Sequence, residues 1–363
     1  MDLLQLACSL LLPWLLGYLI VRGSQSLAGL TSTNQCRELG FGFFVGYFLL
    51  YLLIRLNLAI SGQLQYGVVI GLLCVLLIPA AWLCISLYKR KTTSPALNAL
   101  QKPVTPSRLQ QWGIFALLLL IALHWSFALM ETLLRPLFPW DAFTTWSYAA
   151  KAWFYGGYSQ FIPPEEWIRS SDASQFTSHA YKYPIFSSLI QLWTATSLGH
   201  WSETLINLPS FLAGTAIGLG LYGESRGQGL SALAGLLVCY LFFSIPLLNT
   251  HLSLGGYADI WMAGYAGLGF VALISGIIKG ERFTILLGLA LIGTGALVKF
   301  EGSVWLLMAF AFLLLHWLGP KSSILLLLVS GAVAGAMYLF DLTLIDLPKV
   351  GLIGVSGGSL YLP

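Results

Sequence analysis

Long apolar runs recur along the chain and constrain its fold more than any other feature. They lie at about 3–21, 41–60, 66–88, 112–134, 204–222, 229–248, 257–278, 283–298, 302–318 and 322–342. A helix needs about 20 apolar residues to cross a bilayer, and a backbone in lipid must satisfy its own hydrogen bonds. Because the runs are continuous rather than alternating, they favour helices over a barrel. We therefore expect an all-α polytopic membrane protein with about ten transmembrane helices.

The composition excludes several other classes of protein. Hydrophobic residues make up 57% of the chain and charged residues 9%, against roughly 25% charged residues in a soluble domain. No basic stripe with interleaved aromatic residues is present, so nucleic-acid binding is not expected. The five cysteines are scattered without metal-binding spacing and are interpreted as apolar side chains. The N-terminus lacks the basic stretch of a cleaved signal peptide, which predicts a retained first helix.

One polar segment interrupts the apolar pattern between residues 135 and 203. The chain has 18 Lys and Arg and 14 Asp and Glu residues, and nine of these fall between Glu131 and Lys182. We expect an external loop of juxtamembrane helices here. Since charged residues are rare in the rest of the chain, this loop is the best candidate for the functional site.

The distribution of basic residues predicts the orientation. Lys89, Arg90, Lys91, Lys102 and Arg108 cluster between two apolar runs and should be cytoplasmic, which places 11 of the 18 Lys and Arg residues inside and the 135–203 loop outside. This topology requires that residues 184–199 form an in-plane helix at the outer surface. If that segment crosses the membrane, every later loop is inverted. The proline-containing segment 92–111 predicts a linker between an N-terminal part, 1–110, and a core, 111–363.

Asp141 opens the first group of candidate site residues. A helix is predicted between Pro139 and Gly156-Gly157. At 3.6 residues per turn, one face of it carries Asp141, Thr145, Tyr148, Ala152 and Tyr155, with Lys151 on the flank. The functional interpretation is a carboxylate that accepts a proton from an incoming hydroxyl. The alternative is a helix-capping carboxylate favoured by the helix dipole.

Two further charged sequences stand at the ends of apolar runs. Asp259 begins one run, where an acid usually has a partner or a function, although a water-exposed helix cap is an alternative. Lys299 and Glu301 interrupt what would otherwise be one run from 283 to 318. They are either a local ion pair or a lysine that faces an anionic ligand. In the expected topology these charges share one membrane face with Asp141.

Four short motifs occur in order between residue 112 and about residue 342. They are Asp141 after an outward-running helix, Lys182-Tyr183-Pro184, Asp259 at an external helix start, and Lys299-Phe300-Glu301-Gly302. In this order they resemble the GT-C superfamily of membrane glycosyltransferases, especially the protein O-mannosyltransferases and the lipid A aminoarabinose transferases. The chain departs from the family where Asn207 replaces an arginine and where the second proline after Lys182 is missing.

The resemblance implies a GT-C-like fold and an inverting glycosyltransferase. Such an enzyme moves a sugar from a polyprenyl-phosphate donor to a hydroxyl on a lipid, glycan or protein. Asp141 would be the general base. The expected substrate-binding residues are Arg135, Lys151, Tyr148, Lys182, Asp259, Lys299 and Glu301. Among them, the basic residues would stabilise the leaving phosphate, and the acids would orient these groups or the sugar.

The resemblance further implies a location and a cofactor requirement. We expect an integral protein of the bacterial inner membrane, with its active site on the periplasmic or external face. No cofactor is expected, although some relatives bind a divalent ion through acidic residues. The alternative is a non-enzymatic translocator of lipid-linked sugars or a scaffold for envelope polysaccharide synthesis. A translocator would show two matching halves and charges near the bilayer midplane, and the sequence has neither.

Overall fold

The protein is described here from a computed structural model. It covers residues 3–30, 34–92, 106–138, 140–172, 174–253, 255–339, 343–347, 351–356 and 359–361. Pro139 and most of the expected 92–111 linker lie outside these ranges. Contacts divide the chain into two units, 1–306 and 307–363. The division expected near residue 110 stays a prediction.

The chain is helical apart from a short sheet near its C-terminus. The α-helices are α1 Leu3–Leu27, α2 Gln35–Ser61, α3 Tyr66–Thr92, α4 Arg108–Leu134, α5 Ser147–Gly156, α6 Pro164–Arg169, α7 Phe186–Leu198, α8 Leu208–Gly227, α9 Ala232–Phe243, α10 Pro246–Ser253, α11 Asp259–Met262, α12 Gly269–Lys279, α13 Arg282–Gly295 and α14 Glu301–Leu339. Two π-helical segments, Ala142–Trp146 and Ala263–Leu268, and a 3₁₀ turn, Leu205–Asn207, join them.

Seven helical segments of the described chain are long and apolar enough to cross a membrane. An eighth is added if α9 and α10, which are bent by 73° to each other, count as one broken span. The expected number of about ten is not confirmed. Pro246 starts a new helix after α9, α13 has only 14 residues, and α14 joins two predicted spans across a kink at Gly319 and Pro320. The long apolar helices support an integral membrane protein.

Close packing around α2 builds the interior of the first unit. A Cβ atom at Gly46 would overlap the carbonyl oxygen of Pro13 in α1, and one at Gly40 would overlap the backbone of Gly220 in α8. Small residues allow such contacts between helices, which is a common way to pack helices in lipid. Because α2 packs on both α1 and α8, the N-terminal helices belong to the same unit as the later ones.

Helix α7 is the segment on which the expected topology depends. Its 13 residues span about 20 Å at 1.5 Å per residue, short of the roughly 30 Å hydrocarbon layer. Nearly all of its side chains are buried, and Trp193 Nε1 donates a hydrogen bond of 3.0 Å to the Ser9 carbonyl of α1. The length favours a helix that does not cross the membrane. Its burial shows that it is inserted among other helices rather than lying on the protein surface.

The second unit contains the remainder of α14 and a three-stranded antiparallel sheet. Its strands are β1 Thr343–Leu347, β2 Gly351–Ser356 and β3 Ser359–Tyr361, in the order β1-β2-β3. The sequence did not predict this sheet, because its strands follow the last apolar run, 322–342, and none is longer than six residues.

Candidate functional site

An ion pair joins the second and third charged sequences. Asp259 is the first residue of α11, and Lys299 lies in the turn between α13 and α14. Lys299 Nζ donates a hydrogen bond of 3.1 Å to Asp259 Oδ1 and lies 3.9 Å from Glu301 Oε1. Since its shorter contact is with a residue 40 positions away, the local ion pair with Glu301 is only part of its environment.

The surroundings of Lys299 keep it charged. Burial by itself lowers the pKa of Lys299, but the carboxylates of Asp259 and Glu301 outweigh this effect and raise its pKa above the ordinary value. The ammonium group also lies 5.5 Å from the centre of the Trp146 ring, a favourable arrangement for a cation. Lys299 is therefore a fixed positive charge held by two acids and an indole.

His251 extends this group of charges on the other side of Asp259. Its Nδ1 atom lies 3.9 Å from Asp259 Oδ2, and its ring packs edge-on against Tyr257 at 5.1 Å. Within the described residues, the buried Nδ1 atom has no hydrogen-bond partner. Asp259 thus lies between a lysine and a histidine.

Asp141 belongs to the same region but is not bound in the same way. Burial raises the pKa of Tyr257 and of Tyr183, and the charge of Asp141 adds to both effects. The Asp141 side chain is exposed and makes no capping hydrogen bond. It forms no ion pair within the described part of the chain. The helix-capping interpretation of Asp141 therefore has no hydrogen bond to support it. We call Asp141, His251, Tyr257, Asp259, Lys299 and Glu301 the Asp259 cluster.

A π-helical segment follows Asp141 directly and changes the face that regular helix periodicity predicts. Trp146 is buried toward Lys299, whereas Tyr148 is turned outward and packs edge-on against Phe161 at 5.6 Å. Gly256, which has a φ of +95°, packs here so closely that a Cβ atom would collide with Ala142. The second π-helical segment follows α11, which begins at Asp259. Such segments are frequent at functional sites.

A cavity of about 430 Å³ adjoins the Asp259 cluster. Trp146 and Tyr183 line it and also lie beside charged residues of the cluster. Arg55 and Lys182 are its only charged lining residues among those described. Arg55 Nη1 donates a hydrogen bond of 3.4 Å to the Tyr158 hydroxyl. We call this space the cationic cavity.

Two buried polar groups of the cationic cavity lack partners. They are the indole N–H of Trp146 and the hydroxyl of Ser159, which make no hydrogen bond within the described residues. Buried polar groups are normally bonded. The described lining also contains two cations and no acid, so the cavity has the character of a receptor for an anionic, oxygen-rich ligand.

Three of the residues expected at the site lie apart from it. Arg135 pairs with Glu131 at 2.5 Å, one helical turn away, and Lys151 pairs with Glu203 at 3.0 Å. Neither these two basic residues nor Tyr148 lines the cationic cavity. The structure therefore brings together Asp141, Asp259, Lys299 and Glu301, and places Lys182 in the adjoining cavity.

Several residues of the site were not selected from the sequence. Arg55 had a detectable signal, because an arginine inside the apolar run 41–60 calls for an explanation. Aromatic residues are common at membrane interfaces, so no sequence signal distinguished Tyr183, Tyr257 and Trp146 as site residues. Within the described ranges, no group of three or more His, Cys, Asp or Glu side chains could hold a metal ion.

No protein family, curated protein or solved structure matches this chain. The resemblance to GT-C glycosyltransferases stays a prediction based on the four short motifs. The fold and the site define a helical membrane protein with a polar, partly open cluster next to a cationic cavity.

Proposed function

We propose that this protein is a membrane glycosyltransferase that moves a sugar from a polyprenyl-phosphate donor to a hydroxyl acceptor. The observation that supports this most is that Asp141, which has no ion-pair partner in the described part of the chain, lies near a cavity whose described lining has two cations and no acid. A displacement at the anomeric carbon needs a base for the acceptor and positive charge for the leaving phosphate. These two requirements match the two parts of the site.

Asp141 is the best candidate for the base because the other two acids are already engaged. Asp259 and Glu301 both neutralise Lys299. In the proposed reaction, the acceptor hydroxyl gives its proton to Asp141, and its oxygen bonds to the anomeric carbon. The bond from that carbon to the phosphate oxygen breaks, and polyprenyl phosphate leaves with the electron pair. Attack opposite the leaving group inverts the anomeric centre.

The phosphate fits the cationic cavity better than it fits Lys299. Lys299 already faces two carboxylates, whereas Arg55 and Lys182 face none among the lining residues. The negative charge that develops on a leaving phosphate is stabilised most by cations in a site with little water. We therefore assign phosphate binding to Arg55 and Lys182, and assign Lys299 to holding the acids in place.

The proposed location is the external face of a bacterial inner membrane. Basic residues at the starts or ends of four helices, Arg37, Arg108, Lys279 and Arg282, lie at helix ends away from the Asp259 cluster. By the positive-inside rule, this distribution supports an external position of the cluster. In a background without native cysteines, an impermeant thiol reagent applied from outside should label Ser171→Cys and should not label Gln111→Cys. Equal labelling of both would contradict this orientation.

The decisive experiment is to purify the protein with its lipids and to search for bound polyprenyl phosphate by mass spectrometry. The lipid should be present with the wild type and lost from the double variant Arg55→Gln/Lys182→Met. The double variant Arg135→Gln/Lys151→Met is the matched control, because it removes two charges outside the cavity and should retain the lipid. Absence of the lipid from the wild type, together with tight binding of a nucleotide sugar, would contradict the proposal.

Turnover separates the transferase from a translocator or a scaffold. Purified protein supplied with a polyprenyl-phosphate sugar and an acceptor should release free polyprenyl phosphate. A translocator would move the donor across a vesicle membrane without cleaving it, and a scaffold would do neither.

A further inference from the structure

A second cavity shares a wall with the cationic cavity but differs from it in charge. Its volume is about 320 Å³, and Trp153 and Tyr158 line both spaces. Its other lining residues include Gln63, Phe154, Tyr155 and Thr196, and none of the described lining residues is charged. We call it the neutral cavity.

Trp153 and Tyr158 form the wall between the two cavities, and hydrogen bonds and ring packing hold them in place. Trp153 is buried, and its indole N–H donates a hydrogen bond of 2.8 Å to the Ser159 carbonyl. Its ring lies 5.0 Å from that of Tyr158, whose hydroxyl accepts the hydrogen bond from Arg55. The ring surfaces that face the neutral cavity are therefore fixed before any ligand arrives.

The free hydrogen-bonding groups of the neutral cavity are uncharged. No hydrogen bond engages the Gln63 side-chain amide within the described residues, so it can both donate and accept. The Thr196 hydroxyl donates to the Leu192 carbonyl at 2.7 Å and keeps its lone pairs for a donor. Tyr155 is 70% exposed and stands at the edge. A ligand here finds aromatic faces, one amide and hydroxyl groups.

We propose that the neutral cavity binds an uncharged carbohydrate ring. The C–H faces of a sugar can pack on the aromatic rings while its hydroxyl groups bond to Gln63 and Thr196. An ionised ligand would lose hydration without gaining an opposite charge. We further assign this sugar to the acceptor, an assignment that rests on the proposed function. The carbohydrate site itself does not rest on it.

Ligand-observed saturation-transfer NMR on the full-length protein in lipid nanodiscs tests the proposal, because nanodiscs avoid detergents with sugar headgroups. The probes are maltose, cellobiose and lactose, without any donor. At least one should bind saturably. Tyr155→Ala should weaken that binding about 3–10-fold, and Gln63→Ala about 5-fold. Both residues are exposed, so neither change should unfold the protein.

Two control variants locate the binding. Tyr148→Ala removes an exposed tyrosine of the same helix that lines neither cavity, and Lys182→Met changes only the cationic cavity. Both should bind the disaccharide as the wild type does. Absence of saturable binding by all three sugars, or an equal loss in Tyr148→Ala, would overturn the proposal.

The outcome is independent of transferase activity. Sugar binding that persists in a protein without polyprenyl phosphate would contradict the proposed function and leave the carbohydrate site in place. Bound polyprenyl phosphate without sugar binding would overturn only the carbohydrate site. A strong preference for a phosphorylated disaccharide, abolished by Lys182→Met, would mean that the sugar enters the cationic cavity instead.

Discussion

The first unit contains two clusters of charge that use the same kinds of residue in opposite ways. One is the Asp259 cluster. The other joins α2, α8 and α12 and consists of Arg37, Glu224, Gln228, Ser275 and Lys279, and we call it the Glu224 network. Arg37 Nε donates to Glu224 Oε2 at 2.5 Å, and Ser275 and Gln228 donate to Glu224 Oε1 at 2.5 and 3.0 Å.

The two clusters differ in burial and in the balance of charge. Arg37 is 9% exposed and Glu224 is 4% exposed, and two cations face the single carboxylate of Glu224. In the Asp259 cluster, the side chains of Asp259 and Glu301 are 37% and 54% exposed. These two acids share one lysine, and Asp141 is a third acid that forms no ion pair within the described residues. A buried, fully bonded group can only hold helices together. A solvent-exposed cluster that contains an unpaired carboxylate can bind a ligand and take part in a reaction.

Replacing the unpaired acid should have the largest effect on activity. Asp141→Asn keeps the shape of the side chain but removes the base, so the rate of transfer should fall about 10²–10⁴-fold. Thermal stability should stay unchanged, because Asp141 makes no hydrogen bond or ion pair within the described residues. Transfer assays and melting curves on the same preparation check both parts. Retention of more than half the wild-type rate would remove Asp141 from the mechanism.

A substitution in the Glu224 network should have the reverse effect: stability should fall and activity should change little. Glu224→Ala leaves Arg37 buried without its acid, and breaking a buried pair in this way lowers the free energy of unfolding by about 3–5 kcal/mol. The activity per folded molecule should change little, since Glu224 contacts neither the Asp259 cluster nor the cavities. Unfolding in mixed detergent micelles measures the loss. A stable but inactive variant would mean that the network takes part in function.

How far the sequence predicts these two clusters depends on which contacts are local. Charges at the ends of apolar runs led to the selection of Asp259 and Lys299 as candidates, but their pairing across 40 residues depends on how α11 and α13 pack. The separate position of Arg135 could have been predicted, because Glu131 lies four residues before it on a helix. The bend between α9 and α10 also had a signal in Pro246. The cavities had no signal in the sequence, since they are formed by aromatic side chains of segments that are distant along the chain.

The two acids that hold Lys299 offer a matched pair of substitutions. Asp259→Asn weakens a hydrogen bond of 3.1 Å to a charged group, which is typically worth about 1.5–3 kcal/mol, and should reduce the rate of transfer about 10–100-fold. Glu301→Gln removes a more exposed contact of 3.9 Å and should change the rate less than about 5-fold. Steady-state transfer assays compare the two. Equal effects would show that Lys299 does not depend on the shorter contact.

The smallest expected effect is on stability at alkaline pH. The folded protein raises the pKa of Lys299 above its ordinary value of 10.5, so the charged lysine stabilises the fold fully below that pH. This contribution is lost as the pH rises through the raised pKa, because the folded state then loses the proton that it had held more tightly. Lys299→Met lacks the titrating group.

The melting temperature of the wild type should therefore exceed that of Lys299→Met by a constant amount between about pH 8 and pH 10. The difference should shrink above pH 10.5. Because the charge of Lys299 lowers the pKa of both Tyr183 and Tyr257, their ionisation differs between the two proteins, and the comparison is therefore made in a Tyr183→Phe/Tyr257→Phe background. A difference that stays constant to the highest pH at which the protein folds would mean that Lys299 gains no stabilisation from Asp259 and Glu301. The contrast between the two clusters would then rest on the Glu224 network alone.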